Sequence, residues 1–140
     1  MTVYVVDASV AAKWIFEEVH TNDALRLLDN RNQLHAPDFF LVEVSNVVCK
    51  RIRRKEISDE EGHESYAALR QFPVRTHSFS LLLEPAFEIA ILTKQSLYDC
   101  LYIALATLIG GQMVTVDRRL YDGLAGGPFS NHVHWLEDIT

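Results

Sequence analysis

Short apolar runs alternate along this chain with longer segments whose apolar residues recur at helical spacing, and that alternation predicts an α/β fold. Val3 to Val6 is continuously apolar and ends at Asp7-Ala8-Ser9, the pattern of a strand buried on both faces in a parallel sheet. Ser9 is expected to N-cap a helix that starts at Val10 and carries Ala11, Trp14 and Ile15. Thr21 or Asn22 would cap a second helix to about Asn30, its core face made of Ala24, Leu25, Leu27 and Leu28. Gln33 to Ala36 reads as the second strand. Pro37-Asp38 breaks it, and a helix follows from Phe39 to about Arg54 with Phe40, Val44, Val47 and Val48 as the core stripe.

Ser58-Asp59-Glu60-Glu61 has the form of a capping box opening a helix from Asp59 to about Arg70. Pro73 to Thr76 is a third short strand. Pro85 is placed in the first turn of a helix running through Phe87, Ile89, Ala90 and Ile91, where a missing N–H costs nothing. Leu97 to Ile109 is apolar on nearly every side, which marks a central helix covered all round. Gly110-Gly111 stops it, Met113 to Val116 forms strand four, and Arg118 to about Leu124 is a short helix. Gly126-Gly127-Pro128 then turns the chain into a last strand near His132 to Trp135. The predicted architecture is a three-layer α/β/α sandwich, one domain over residues 1–140, around a mainly parallel sheet of about four to five strands.

Composition fits that expectation: 140 residues with 49% hydrophobic and 23% charged can bury a proper core. Asp99 and Thr107 interrupt the richest apolar stretch, so no run reaches the ~18 residues of a membrane span. No basic segment followed by an apolar core opens the chain, so no secretory signal and no membrane partner are expected. Cys49 and Cys100 lie in apolar helical patterns far apart, which reads as two buried thiols and a reducing, cytoplasmic location. A net charge of −6 argues against a broad basic surface that grips nucleic acid through phosphates alone. Local patches and a bound cation would have to do that work.

Four acids stand where an α/β fold presents side chains to ligands. Asp7 and Asp117 each follow a strand, and Glu43 and Asp99 fall in about the first turns of their helices. In such a sheet the strand C-termini and the following helix N-termini share one edge, and ligands collect where the strand order reverses. If the strands before Asp7 and Asp117 are neighbours, their backbones run about 4.8 Å apart, within joint reach of one cation. Packed carboxylates repel unless a cation is present, and hard oxygen donors without a Cys/His cluster favour Mg²⁺, or Mn²⁺, over zinc. Each acid also has a plainer role: Asp7 and Asp117 as turn or cap residues, Asp99 as the acid of a Ser96 capping box, Glu43 as a surface acid in an apolar stretch.

Val5-Val6-Asp7-Ala8-Ser9, Glu43-Val44-Ser45-Asn46, Tyr98-Asp99-Cys100 through Ala106, and Val114-Thr115-Val116-Asp117-Arg118-Arg119-Leu120 resemble the four motif regions of PIN-domain nucleases. The resemblance is to the VapC-type toxins of type II toxin–antitoxin pairs, in order over nearly the whole chain. It implies a Mg²⁺-dependent endoribonuclease, usually dimeric, held inactive by a VapB-type antitoxin. Asp7, Glu43, Asp99 and Asp117 would be the catalytic, metal-binding acids, with Ser9, Asn46 and Thr115 as polar supports. Cys100 departs from the family, which more often has a small residue such as alanine there.

Arg118 and Arg119, directly after Asp117, are placed to contact an RNA substrate. The basic run Lys50 to Lys55 reads as a solvated helix end complementing the helix dipole, or as a contact for RNA phosphates or an acidic antitoxin segment. His132 and His134 share one side of a strand without a third ligand nearby. Trp14, Trp135 and the phenylalanines are expected in the core or on a dimer surface rather than as base-stacking platforms. Two alternatives stay open: a non-catalytic PIN-like module binding RNA or a partner, and a Mg²⁺-dependent aspartyl phosphatase or phospho-receiver, although Asp7-Ala8-Ser9 lacks the second acid of the phosphatase signature.

Overall fold

The computed structural model describes all 140 residues. Five strands, β1 (Thr2–Val6), β2 (Asn32–Pro37), β3 (Val74–His77), β4 (Gln112–Thr115) and β5 (Val133–Trp135), form one sheet in the order β3-β2-β1-β4-β5. Every neighbouring pair is parallel. Helices α1 (Ala8–Ala11), α2 (Thr21–Arg26), α3 (Phe40–Arg53), α4 (Asp59–Leu69), α5 (Phe79–Thr93), α6 (Leu97–Ile109) and α7 (Arg118–Leu124) make the crossovers and outer layers. The chain builds outward from β1 through β2 to β3, then returns to lay β4 on the other side of β1. That reversal makes the β1/β4 boundary the switch point of the sheet.

Helix α6 is central but not covered all round as its composition suggests, since Tyr98 and Leu108 near its two ends are exposed. Cys100 through Ala106 are all buried, and the helix packs on β1, β2 and β4. Gly110 closes it in the left-handed conformation at φ 69°. Gly111 then lets β4 enter beside β1: a Cβ there would lie 2.8 Å from the Val3 carbonyl oxygen, a separation no side chain tolerates without backbone movement. A single cluster of 32 buried residues runs through sheet and helices. No single helix is long and apolar enough to cross a membrane.

The capping box of α4 forms as its sequence requires: Glu61 N–H donates to Ser58 Oγ at 3.1 Å, and Ser58 N–H donates back to Glu61 Oε1 at 2.9 Å. Other local expectations are corrected. Asp7, not Ser9, caps α1, and Ser9 lies inside the helix. Helix α2 stops at Arg26 with no side-chain cap, because Thr21 Oγ1 accepts the N–H of Glu18 in the preceding turn, at 2.8 Å. Ala24 and Leu27 are buried there, whereas Leu25 and Leu28 are exposed.

Pro85 sits well inside α5, since that helix begins at Phe79, whose N–H donates to Asp38 Oδ1 at 3.1 Å. Burial of Leu82, Ala86 and Ile89 along one face outweighs the single backbone bond that proline removes. Cys49 is exposed rather than buried. It follows Val48, and the step of one residue rotates it off the Phe40, Val44, Val48 stripe that faces the core. Trp14 packs edge-on against Phe72, but Trp135 is neither in the core nor among the hydrophobic side chains packed against it.

Candidate active site

The C-terminal edge of the sheet collects the acids through backbone geometry that each acid helps to fix. Asp7 leaves β1 in an extended conformation and caps α1, its Oδ1 accepting Val10 N–H at 2.9 Å and Ser9 Oγ–H at 2.8 Å. Asp117, two residues beyond β4, caps α7 by accepting Leu120 N–H at 3.2 Å. Its own N–H donates to the buried Thr115 Oγ1 at 3.0 Å. In the first turn of α6, Asp99 N–H donates to Ser96 Oγ at 3.1 Å, and the Ser96 hydroxyl returns a bond to Asp99 Oδ2 at 2.9 Å. Glu43, in the first turn of α3, accepts the Tyr102 hydroxyl on Oε1 at 2.6 Å. Each acid therefore commits one oxygen to a hydrogen bond within the protein, and Asp7 Oδ2, Glu43 Oε2, Asp99 Oδ1 and Asp117 Oδ2 carry none.

Electrostatics tie the four together. Burial pushes the Asp7 carboxyl up to about 6; its hydrogen bonds from Val10 and Ser9 oppose that, and the charges of Asp99 and Glu43 add to it. Asp99 is likewise raised, first by burial and then by the charge of Asp117, against the Ser96 bond. Tyr102 is buried, and burial, its bond to Glu43 and the charges of Glu43, Asp7 and Asp99 all hold its proton in place. The hydroxyl is thus a fixed donor that orients Glu43.

No three His, Cys, Asp or Glu side chains stand close enough to form a ready-made cation cage. The acids share a field but not yet a coordination sphere. Their chemistry nevertheless suits a hard divalent cation: oxygen donors only, each with one uncommitted oxygen, in a site where like charges and desolvation disfavour the ionised state. Mg²⁺ retains several waters and commonly takes only one or two direct carboxylates, which fits acids spread along an edge.

Of the supporting residues, Ser9 and Thr115 bond as described, whereas Asn46 is exposed and makes no hydrogen bond to any of the four acids. Arg118 and Arg119 are exposed at the start of α7. His132 and His134 take structural roles, their Nδ1 atoms 3.0 Å from Gly111 O and 3.2 Å from Gln112 Oε1. Tyr102 is the residue sequence reading missed. Its signal was the three-residue step from Asp99, which puts both on one face of a helix.

The sequence matches the PIN-domain family over residues 4–123, a span that includes all four acids. It is 34% identical over 118 residues to ribonuclease VapC3 of Pyrobaculum aerophilum, covering 83% of this chain and 90% of that protein. Ribonuclease VapC3 of Mycobacterium tuberculosis is 31% identical over 116 residues, 83% of each chain. The chain belongs to the PIN-domain family, among its VapC-type members. Solved VapC-type structures share the fold at lower identity. VapBC2 of Rickettsia felis, solved bound to a promoter DNA fragment, superposes with a TM-score of 0.66 at 14% identity, over 96% of this chain and 98% of that one. As a VapC-type PIN domain the chain has the parallel α/β/α architecture expected from its strand and helix pattern, and the phosphatase and phospho-receiver alternatives fall away.

Proposed function

We propose that this VapC-type protein is a metal-dependent endoribonuclease, a toxin that hydrolyses RNA phosphodiester bonds and is restrained by a VapB-type antitoxin. The observation that carries the reading is the set of four carboxylates at the β1/β4 edge, each anchored through one oxygen and free at the other. Asp7, Glu43, Asp99 and Asp117 would hold Mg²⁺ or Mn²⁺. When bound, the cation supplies Lewis acidity, lowering the pKa of water and stabilising charge on the scissile phosphate.

The chain's own residues do the positioning. Ser9 and Val10 fix Asp7, Thr115 sets the backbone of Asp117, and Tyr102 keeps Glu43 turned toward the edge. Arg118 and Arg119 offer positive charge beside Asp117 for substrate phosphates. Water is the nucleophile, and the products carry a 3′-hydroxyl and a 5′-phosphate.

The antitoxin is carried over from VapC-type relatives, a reading that a toxin–antitoxin complex from Klebsiella pneumoniae of the same fold supports. A homodimer is supported by the outer face of α5, where Leu81, Phe87, Ile91 and Leu92 are more than half exposed, an apolar surface of the kind that partners cover. The setting is the cytoplasm. The test is cleavage of an RNA pool with Mg²⁺, with EDTA, and by Asp7→Asn. Mg²⁺-dependent cleavage lost in the variant supports the proposal, and full activity in Asp7→Asn refutes it.

A further inference from the structure

Trp135 ends β5 in register with Thr115 of β4, so its indole stands one strand away from the segment that delivers Asp117, at the same edge of the sheet. Arg118, the next residue after Asp117, lays its guanidinium over that indole, 4.0 Å from the ring centroid. Tyr121, one helical turn on, meets the indole edge-on at 5.7 Å. The indole N–H donates to Glu137 Oε1 at 3.1 Å, which fixes the rotation of the ring.

This stack is not core packing, because Trp135 lies outside the hydrophobic cluster and Arg118 is largely exposed. Nor is the charge of Arg118 satisfied. It makes no hydrogen bond, and its one ion pair, with Asp122, is 3.8 Å long with side chains 59% and 64% exposed, a pairing that holds little in water. The guanidinium lies over the indole and 5.7 Å from the Tyr121 ring centroid, and 59% of the Arg118 side chain is exposed. A planar cation stacked among aromatic rings and largely exposed is a surface on which a nucleobase binds by stacking and cation–π attraction. Glu137 and Asp122 alongside favour a neutral base over a phosphate at Arg118, which leaves the phosphate contact proposed above chiefly to Arg119.

We propose that Arg118, Trp135 and Tyr121 form a stacking platform for the base of the nucleotide flanking the scissile phosphate. The proposal rests on the ribonuclease reading of the acids and adds to it a base subsite. Trp135 lies beyond the family-matched residues 4–123, whereas Arg118 and Tyr121 lie within them, so the platform joins the family-matched part of the chain to its C-terminal segment. Stacking tolerates any base, so the platform requires a nucleotide free to leave a duplex rather than a particular sequence.

The experiment titrates the full-length protein with a mixed-sequence single-stranded oligoribonucleotide pool in Ca²⁺, following both tryptophan emission and RNA anisotropy. Cleavage of the same pool in Mg²⁺ is measured in parallel. Wild-type emission is expected to be quenched on binding. Trp135→Phe, which keeps an aromatic face, should lose the quench and retain most of the affinity. Trp135→Leu should weaken binding about fivefold or more, the lower end of what one stacked base contributes. Because the quench is read on the unaltered protein, a poorly folded Trp135→Leu would not hide the answer.

Cleavage of the pool with no quench at saturation overturns the platform and leaves the ribonuclease reading standing. A folded Trp135→Leu that binds as tightly as wild type overturns the platform in the same way. A protein that neither binds nor cleaves the pool overturns the ribonuclease reading and the platform with it.

Discussion

Asp7→Asn should make the metal-free protein more stable while removing its cleavage activity. In the folded chain the Asp7 carboxyl is raised from 3.8 to about 6, with burial as the leading cause. The folded state therefore holds a proton that the unfolded state has released between those values, and wild-type stability falls as pH rises through about 6. Roughly two pKa units at about 1.4 kcal/mol each set an upper limit of about 3 kcal/mol for the cost of the ionised carboxylate above pH 7. Asparagine keeps the oxygen that accepts Val10 N–H and Ser9 Oγ–H, so the α1 cap survives and the charge is what disappears. A gain of about 1–2 kcal/mol is expected at pH 8 in EDTA, shrinking as pH falls and absent near pH 4. Urea unfolding of wild type and variant at the two pH values measures it. Mg²⁺ should raise the midpoint of wild type and leave that of the variant nearly unchanged. If Asp7→Asn is no more stable than wild type at pH 8, or if the difference is the same at pH 4, the account of a desolvated, repelled carboxylate is wrong.

Tyr102→Phe removes the donor that holds Glu43 and should cost about 1–2 kcal/mol in urea unfolding, with cleavage slowed roughly tenfold because Glu43 is no longer oriented. Gly111→Ala forces a Cβ against Val3 O and Val3 Cγ1, at 2.8 and 2.9 Å; a loss of about 1–3 kcal/mol is expected, seen as a lower denaturation midpoint. Within the basic run, only Arg51 is engaged, pairing with Glu18 and lying 4.1 Å over the Phe16 ring. Arg51→Ala should destabilise by about 1 kcal/mol, whereas Arg54→Ala, at an exposed helix end, should change stability by less than about 0.5 kcal/mol.

Strands and long helices were legible because burial imposes a period on the sequence, and α6 shows it best: its limits, Leu97 and Ile109, follow from an apolar pattern broken only at Asp99 and Thr107 and from two glycines. Local rules failed where a contact from elsewhere in the chain decided the outcome. The propensity of proline alone places Pro85 in a first turn. The start of α5 is instead set by Asp38, 41 residues away in sequence from the Phe79 N–H it accepts. The Glu43–Tyr102 bond spans 59 residues, and the Arg118–Trp135 stack depends on β4 and β5 pairing in a particular register. No propensity encodes such pairings, which exist only once the sheet is assembled.

Capping and metal binding looked like rival explanations for Asp7, Asp99 and Asp117 as long as each acid was weighed as a whole residue. At the level of atoms they are compatible, because a carboxylate has two oxygens: the cap uses one of Asp7 and one of Asp117, and at Asp99 the hydroxyl of Ser96, itself the cap of α6, occupies one without completing the expected capping box. The compatibility has a physical consequence. A carboxylate whose first oxygen is tied to a helix N-terminus has lost most of its rotamer freedom before any ligand arrives, so less entropy remains to be lost on binding. The same anchoring prevents the acids from swinging apart to relieve their repulsion, and the raised Asp7 and Asp99 carboxyls record that constraint together with their burial. The folded chain thus keeps at the β1/β4 edge a set of acids that is unfavourable for the protein alone, a cost that the proposed cation would offset. That is why stabilising Asp7→Asn and disabling it are expected to be one and the same change.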